Sequence, residues 1–376
     1  MRVYVACVGC EQRELDAQLV SDYVRACGED VVESPDRCDT AVLVTCGVDA
    51  ANENRSFEAL RNLAERIPSS SRMVVGGCIP SINPARLSTF KVDATFSPRT
   101  LSSLKSILGL SLDVDQVRYP NISIFDRSND ISVANSPREE YEMAKNGFKI
   151  RIDSGCLLQC SYCAIRHATG RLESVDADAI ITQTRGGVAR GVQSIMLVGG
   201  DTGAYGLDRG TSLDQLLRRI LAVQGSYRLF IHDFNVNWFL RRINDFLSVF
   251  ATQEAQRVRA ISFPVQSGSD KILKQMRRPY SADSSIAGLR RMREIAPHIR
   301  QGTHIMVGFP GETEQDFVAT VDMLDRARFD FVTCFAYSPR PNTYASALKI
   351  QVSPEVVAER LQRLASQFRD VVQIVA

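Results

Sequence analysis

Residues 148–163 read FKIRIDSGCLLQCSYC, and the fold turns on this stretch. FKIRID has the apolar–polar alternation of an amphipathic strand. The loop after it carries Cys156, Cys160 and Cys163 in C-x3-C-x2-C spacing. Three thiolates on one compact loop suit a 4Fe–4S cube that keeps one iron free of protein ligands. An open coordination position is what metal-based catalysis requires. A structural zinc knuckle is the alternative, although zinc sites usually draw on two ligand pairs and no second close Cys or Cys/His pair follows.

Outward from this stretch, strand-like runs recur at 194–200 (SIMLVGG), 228–234 (RLFIHDF), 260–265 (AISFPV), 303–309 (THIMVGF) and 332–338 (VTCFAYS). Segments long enough for a helix separate them. In 212–223, Leu213, Leu216, Leu217 and Ile220 fall at helical spacing, as do Ile286, Leu289, Met292 and Ile295 in 283–295. Such alternation implies parallel strands with right-handed crossovers. Six units imply a partial (β/α)6 barrel with its active site at the C-terminal strand ends, where the cysteine loop lies.

Residues 1–110 alternate on their own account. RVYVACV (2–8), TAVLVTC (40–46) and RMVVGGC (72–78) read as strands, with helices at 16–27, 53–67 and 100–108. The chain is therefore expected to be α/β, a flavodoxin-like open parallel sheet followed by the partial barrel. Cys10, Cys46 and Cys78 each sit at or just beyond a strand's C-terminal end, where doubly wound sheets form their ligand crevice. They can meet in space although far apart in sequence. Cys7, Cys27, Cys38 and Cys334 are read as buried free thiols. The domains expected are 1–115, a linker at 116–145, the barrel at 146–348 and a C-terminal helix within 349–376. Val357, Leu361, Leu364, Phe368 and Val371 give a helix at 354–373 an apolar face, to pack on the barrel or to meet a partner.

Composition limits the rest. With 376 residues, 45 Lys+Arg against 43 Asp+Glu and a net charge of +2, the chain is not built to coat nucleic acid or a membrane surface, though a local basic groove is compatible with that total. A hydrophobic share of 44% excludes disorder as the main state. No apolar run approaches the roughly 18 residues of a membrane span. The N-terminus, MRVYVACVGCEQRELD, reads as a first strand and not as a signal peptide. Ten cysteines are too sparse for a disulfide scaffold, so a reducing cytoplasmic location and ligand or catalytic duty are expected.

The cysteine loop resembles the radical S-adenosylmethionine (SAM) signature, with Tyr162 in the aromatic slot before its last cysteine. VGCEQRELDAQ, VTCGVDAANENRS, VGGCIP, PVQSGSDKIL, VGFPGETEQDF and SPRPNTYASA, in that order, resemble the methylthiotransferases from about residue 2 to 348. The resemblance implies that Cys156, Cys160 and Cys163 hold a 4Fe–4S cluster whose open iron chelates SAM and whose electron cleaves it to methionine and a 5′-deoxyadenosyl radical. It implies that Cys10, Cys46 and Cys78 hold a second, sulfur-bearing 4Fe–4S cluster, and that an electron donor of flavodoxin or ferredoxin type serves the enzyme. The family reaction is C–H activation, sulfur insertion and methylation from a second SAM. Gly199-Gly200-Asp201 resembles the motif for the SAM amino group, and Gln266 and Gly308 resemble further SAM-contacting positions. An ordinary turn is the alternative for the first, and a tight turn for Gly308.

Departures from the family bear on the substrate. After the signature, HATGRLESV keeps Arg171 but has Thr169 and Val175 where arginines are usual; Arg13 replaces a usual asparagine. HDFNVN stands in place of a Ser-His-Pro pattern, and His304 in place of an aspartate. His232, Asp233, Asn235, His304 and Arg340 are therefore candidate substrate contacts, each with a satisfied polar residue as its alternative. The familiar RNA-binding β-barrel does not follow residue 348. A small molecule, nucleoside, sugar or peptide substrate is expected, with nucleic acid an unlikely partner. A tRNA or ribosomal-protein methylthiotransferase is the alternative, and a non-catalytic iron–sulfur protein a remote one.

Overall fold

Arg2–Val8 is uncharged after its first residue and rich in valine, and it forms strand β1 of a five-stranded parallel sheet. A computed structural model describes residues 1–123, 125 and 136–375. The other strands of this sheet are β2 (Asp30–Val32), β3 (Thr40–Thr45), β4 (Arg72–Gly77) and β5 (Ala94–Thr95), in the order β2-β1-β3-β4-β5. That is the flavodoxin-like order, with its reversal between β1 and β3. β3 is buried along its whole length, as a central parallel strand covered on both faces must be. Edge strands β2 and β5 were not expected from the sequence. At three and two residues they are too short to show a period.

The second sheet begins with β6 (Phe148–Arg151). A small antiparallel pair, β7 (Asp153–Ser154) with β8 (Glu173–Ser174), follows beside it. The remaining strands are β9 (Ser194–Val198), β10 (Arg228–Ile231), β11 (Val258–Ser262), β12 (Arg300–Val307), β13 (Phe331–Ala336) and β14 (Val372–Val375). Pairing is parallel throughout, in the order β14-β13-β12-β11-β10-β9-β6. Successive crossovers therefore add strands on one side only, as in a partial barrel. The period of two sorts the side chains. Phe148, Ile150, Ile195, Leu197, Leu229 and Ile231 join the large apolar core, while Lys149, Arg151 and His304 occupy alternate positions on the other face.

The C-terminal segment differs from its expected form. The helix covers Pro354–Gln367 and not 354–373, and residues 372–375 add a seventh strand, with Val332 paired to Val372. Val371 continued the apolar helical face, which hid the break. Its carbonyl instead accepts from Val332 N at 2.8 Å. Ser353 caps the helix by accepting from Val356 N, and Pro354 occupies its first turn. Leu364 is buried in the barrel core, and Arg360 forms a buried ion pair with Glu312 at 2.8 Å. Burial pushes the Glu312 carboxyl above its ordinary range. Loss of Arg360 would leave the Glu312 charge buried and unpaired, whereas Arg360 also reaches Glu314 at 3.5 Å.

The stretch expected as a linker, 116–145, includes most of a capped helix, Pro137–Asn146, and residues 124 and 126–135 of it lie outside the described residues. The chain divides into two compact units. One comprises the N-terminal sheet and its helices with Cys163–Gly170 and Pro339–Thr343; the other comprises the seven-stranded sheet with its helices. Among the described residues no helix is long and apolar enough to cross a membrane.

Candidate cluster and cofactor sites

In the N-terminal unit the loops after β1, β3 and β4 carry Cys10, Cys46 and Cys78. Cys10 stands at the N-terminus of helix Glu11–Ala26, and Cys78 opens the short helix Ile79–Ile82. The thiols of Cys10 and Cys46 are hydrogen-bonded to each other, which draws Cys10 down from its ordinary pKa and pushes Cys46 up. Burial raises the Cys78 thiol to about 11, against the nearby Arg13 charge. The Arg13 guanidinium donates from Nη1 to Cys78 Sγ at 3.8 Å. Backbone ties hold the loops. Cys46 N donates to Ser56 Oγ at 3.1 Å, Ser56 donates back to Cys46 O at 2.8 Å, and Cys78 N donates to Thr45 O at 2.9 Å. Gly77, at φ +88°, permits the last of these, since a Cβ there would stand 2.3 Å from Thr45 O.

Among the described residues no three His, Cys, Asp or Glu side chains converge tightly enough to hold a single metal ion. A cube does not ask for that, because each of its thiolates binds a different iron. The donor set of three thiols at adjoining strand ends fits such a cube. The helix after Cys163, Ile165–Thr169, also packs in this unit, with Ala164 and Ala168 against Cys78 and Ile82.

In the barrel unit, Cys156 lies just beyond β7 and accepts from Leu158 N at 3.3 Å. Its thiol donates to Asp201 Oδ2 at 3.6 Å, and Trp238 Nε1 donates to the same oxygen at 2.7 Å. Asp153, which sequence reasoning passed over, anchors the Gly199-Gly200-Asp201 turn. Its Oδ1 accepts from Gly200 N at 2.7 Å and Asp201 N at 3.2 Å. A Cβ on Gly199 would lie 2.4 Å from the Asp153 carboxylate, and one on Gly200 2.2 Å from Gly155 O. The glycines thus serve first the close approach of two strand-end loops. Burial, then the neighbouring Asp201, lifts the Asp153 carboxyl to about 8, and burial lifts Asp201 to about 6.

An acid whose folded pKa exceeds its unfolded value binds more protons when folded, so its contribution to stability falls as pH rises between the two values. For Asp153 that window runs from 3.8 to about 8. Asp153→Asn keeps an oxygen to accept both backbone donors and removes the titration. In cluster-free protein, the denaturation midpoint of Asp153→Asn relative to the unsubstituted chain is expected to rise steadily from pH 5 to 8. A constant difference would contradict this account of Asp153.

Gln266 adopts φ +81° while bridging β12, donating to His304 O at 2.8 Å and accepting from Met306 N at 2.9 Å. Its Oε1 and Asp201 Oδ1 are buried acceptors that no donor reaches among the described residues. Buried acceptors of this kind are rare unless a ligand supplies the donors. A ligand bearing an ammonium and hydroxyls, as SAM does, fits them. Gly308 has a turn duty of its own at φ +79°, its N–H donating to Glu312 Oε2 at 2.8 Å and a Cβ falling 2.4 Å from Val357 Cγ2. Tyr162 is half-buried beneath Arg278, which donates to its hydroxyl. Ser161 N donates to Met276 O at 3.1 Å, which fastens the cysteine loop to the barrel just after Cys160.

Of the candidate substrate contacts, three gather and two do not. Asp233, at φ +50°, lies 3.4 Å from His232 Nε2 and 3.7 Å from His304 Nδ1, and Tyr141 hydrogen-bonds His232 Nδ1. Asn235 caps helix Val236–Arg241 by accepting from Asn237 N. Arg340 is buried in an ion pair with Glu53, which also binds Arg86 at 2.8 Å. Several basic residues that a basic groove would draw on are engaged as well. Arg290 and Arg293 donate to carbonyls of Arg326 and Arg328, and Arg277 lies over the Tyr344 ring at 4.6 Å.

Residues 150–324 match the Radical SAM superfamily, and residues 2–97 match Uncharacterized protein family UPF0004. A probable threonylcarbamoyladenosine tRNA methylthiotransferase of Pyrococcus horikoshii is 29% identical over 98% of this chain and 84% of its own length. A tRNA-2-methylthio-N(6)-dimethylallyladenosine synthase of Acidithiobacillus ferrooxidans is 31% identical over 99% of this chain and 82% of its own. Among solved structures, the radical SAM methyltransferase TsrM of Kitasatospora setae, with cobalamin and a 4Fe–4S cluster bound, shares the fold at a TM-score of 0.61 and 14% identity, covering 92% of this chain and 77% of that one. With this similarity running through both sheets, the chain belongs to the radical SAM methylthiotransferase family, enzymes that transfer sulfur with SAM and 4Fe–4S clusters as cofactors.

Proposed function

We propose that this enzyme attaches a methylthio group to a modified adenosine of tRNA. The observation that carries the reading is that relatives named for this reaction on tRNA are similar over 98 and 99% of the chain, through both thiol trios. The expectation of a small-molecule or peptide substrate rested on net charge and on the shortness of the segment 349–376. It has no comparable support, and nucleic acid is a suitable partner.

Cys156, Cys160 and Cys163 would hold the barrel cluster, and Cys10, Cys46 and Cys78 the second. When bound, these clusters and SAM supply hydrogen abstraction and sulfur, chemistry beyond any side chain; the protein supplies placement and exclusion of water. With Cys156 ligated as thiolate, the Asp201 carboxylate would keep Trp238 as donor and offer its buried Oδ1 to the SAM ammonium. Gln266 Oε1 would offer a further acceptor to SAM. Leu158 N–H steadies the Cys156 thiolate charge, and Arg278 with Tyr162 fixes the loop. His232, Asp233 and His304 are the substrate contacts of this reading.

Modified-nucleoside analysis tests it. Deletion of the gene should remove a 2-methylthioadenosine derivative from bulk tRNA and leave its unthiolated precursor, and re-expression should restore it. An unchanged nucleoside profile would contradict the tRNA reading. Affinity of the purified enzyme for tRNA should fall steeply with added salt, as phosphate contacts require.

A further inference from the structure

Arg13 is 2% exposed, within a turn of Cys10 on helix Glu11–Ala26. A guanidinium so deeply buried is costly unless its charge is met. Asp16 meets it, at 3.0 Å from Nε, and is held in turn by the Tyr119 hydroxyl at 2.7 Å. The other end of the fork is not used by this pair, and Nη1 points at Cys78 Sγ, 3.8 Å away. Gly9 makes room for the arrangement, because a Cβ there would lie 2.4 Å from Arg13 Cβ. An ion pair serving stability alone would need Asp16 and nothing at the thiol. The directed second contact places a permanent cation beside Cys78 of the sulfur trio.

Three thiolates around a cube make an anionic group, and reduction adds one more negative charge. A fixed cation and an N–H donor at the sulfur favour the reduced form over the oxidised one. We infer that Arg13 is a positioning residue that raises the reduction potential of the cluster held by Cys10, Cys46 and Cys78. The inference rests on that trio being a cluster site. It is independent of what the substrate is.

The test uses the full-length chain carrying Cys156→Ala, Cys160→Ala and Cys163→Ala, so that only the N-terminal site can load, with iron counting and a potentiometric titration followed by electron paramagnetic resonance. The parent should bind about four irons. Arg13→Asn should shift its midpoint to lower potential, and Arg13→Lys, which keeps the charge, should shift it less. Because Arg13→Asn strands a buried Asp16, the double variant Arg13→Asn with Asp16→Asn is the control for misfolding, and its midpoint should also lie below the parent's. Unmoved midpoints in loaded variants would overturn the role of Arg13 while leaving the cluster site standing. A parent that binds no iron would overturn the cluster site itself, and this inference with it.

Discussion

Cys156→Ala is expected to abolish SAM cleavage, whereas Cys46→Ala should leave 5′-deoxyadenosine formation measurable and remove the methylthiolated product. The two cysteines serve separate sites in this account. Cys156 belongs to the loop beyond β7, where it is hydrogen-bonded to Asp201 and to Leu158 N, the groups proposed to face SAM. Without its thiolate the cube loses one of three protein ligands, and electron transfer to SAM stops. Cys46 lies on the loop after β3 of the other sheet, clamped through Ser56 and with its thiol beside that of Cys10. Its loss removes the sulfur carrier and leaves the barrel chemistry in place. Both variants assayed for 5′-deoxyadenosine and for product give four readings. Loss of SAM cleavage in Cys46→Ala at intact barrel iron content would contradict the division of labour.

Gly200→Ala is expected to be nearly as damaging, without touching a cysteine. The new methyl would sit 2.2 Å from Gly155 O, 2.9 Å from Gly155 C and 3.0 Å from Gly155 N. These are backbone atoms of the residue before Cys156, and no rotamer change relieves them. Overpacking of this kind costs about 1–3 kcal/mol where the surroundings can shift. Here the part that must shift is the cysteine loop. The variant should therefore fold with a lowered denaturation midpoint, lose barrel iron and lose SAM cleavage, while keeping the N-terminal iron. A variant with full iron and unaltered SAM cleavage would show that the two loops do not depend on each other's position.

Much of the fold was legible because its strands are short apolar or alternating runs separated by helix-length segments. β1, β3, β4, β6 and β9 to β13 all show this pattern. β14 did not, because Val371 and the residues after it extend the apolar stripe of the preceding helix, and a short segment can satisfy either period. The cysteine trios were legible for different reasons. Cys156, Cys160 and Cys163 are close in sequence, and Cys10, Cys46 and Cys78 share the same position relative to three strands. Asp153 had a local signal that went unused, the run of Lys149, Arg151 and Asp153 at alternate positions of the stretch FKIRID. Trp238 and Arg278 had none, since their partners Asp201 and Tyr162 lie far off in the chain. Arg340 was legible as an arginine near the barrel's end but not as the partner of Glu53, which only the folded chain reveals. Gly199 and Gly200 were read only as part of a SAM-amino-group motif or an ordinary turn, and their close packing against Asp153 and Gly155 shows only in the folded chain.

Iron counting after anaerobic reconstitution tests the central claim most directly, because two trios in one chain make a numerical statement. The account predicts about eight irons per chain, falling to about four in Cys46→Ala and to about four in Cys156→Ala. About four in the unsubstituted chain, unaffected by Cys46→Ala, would contradict it.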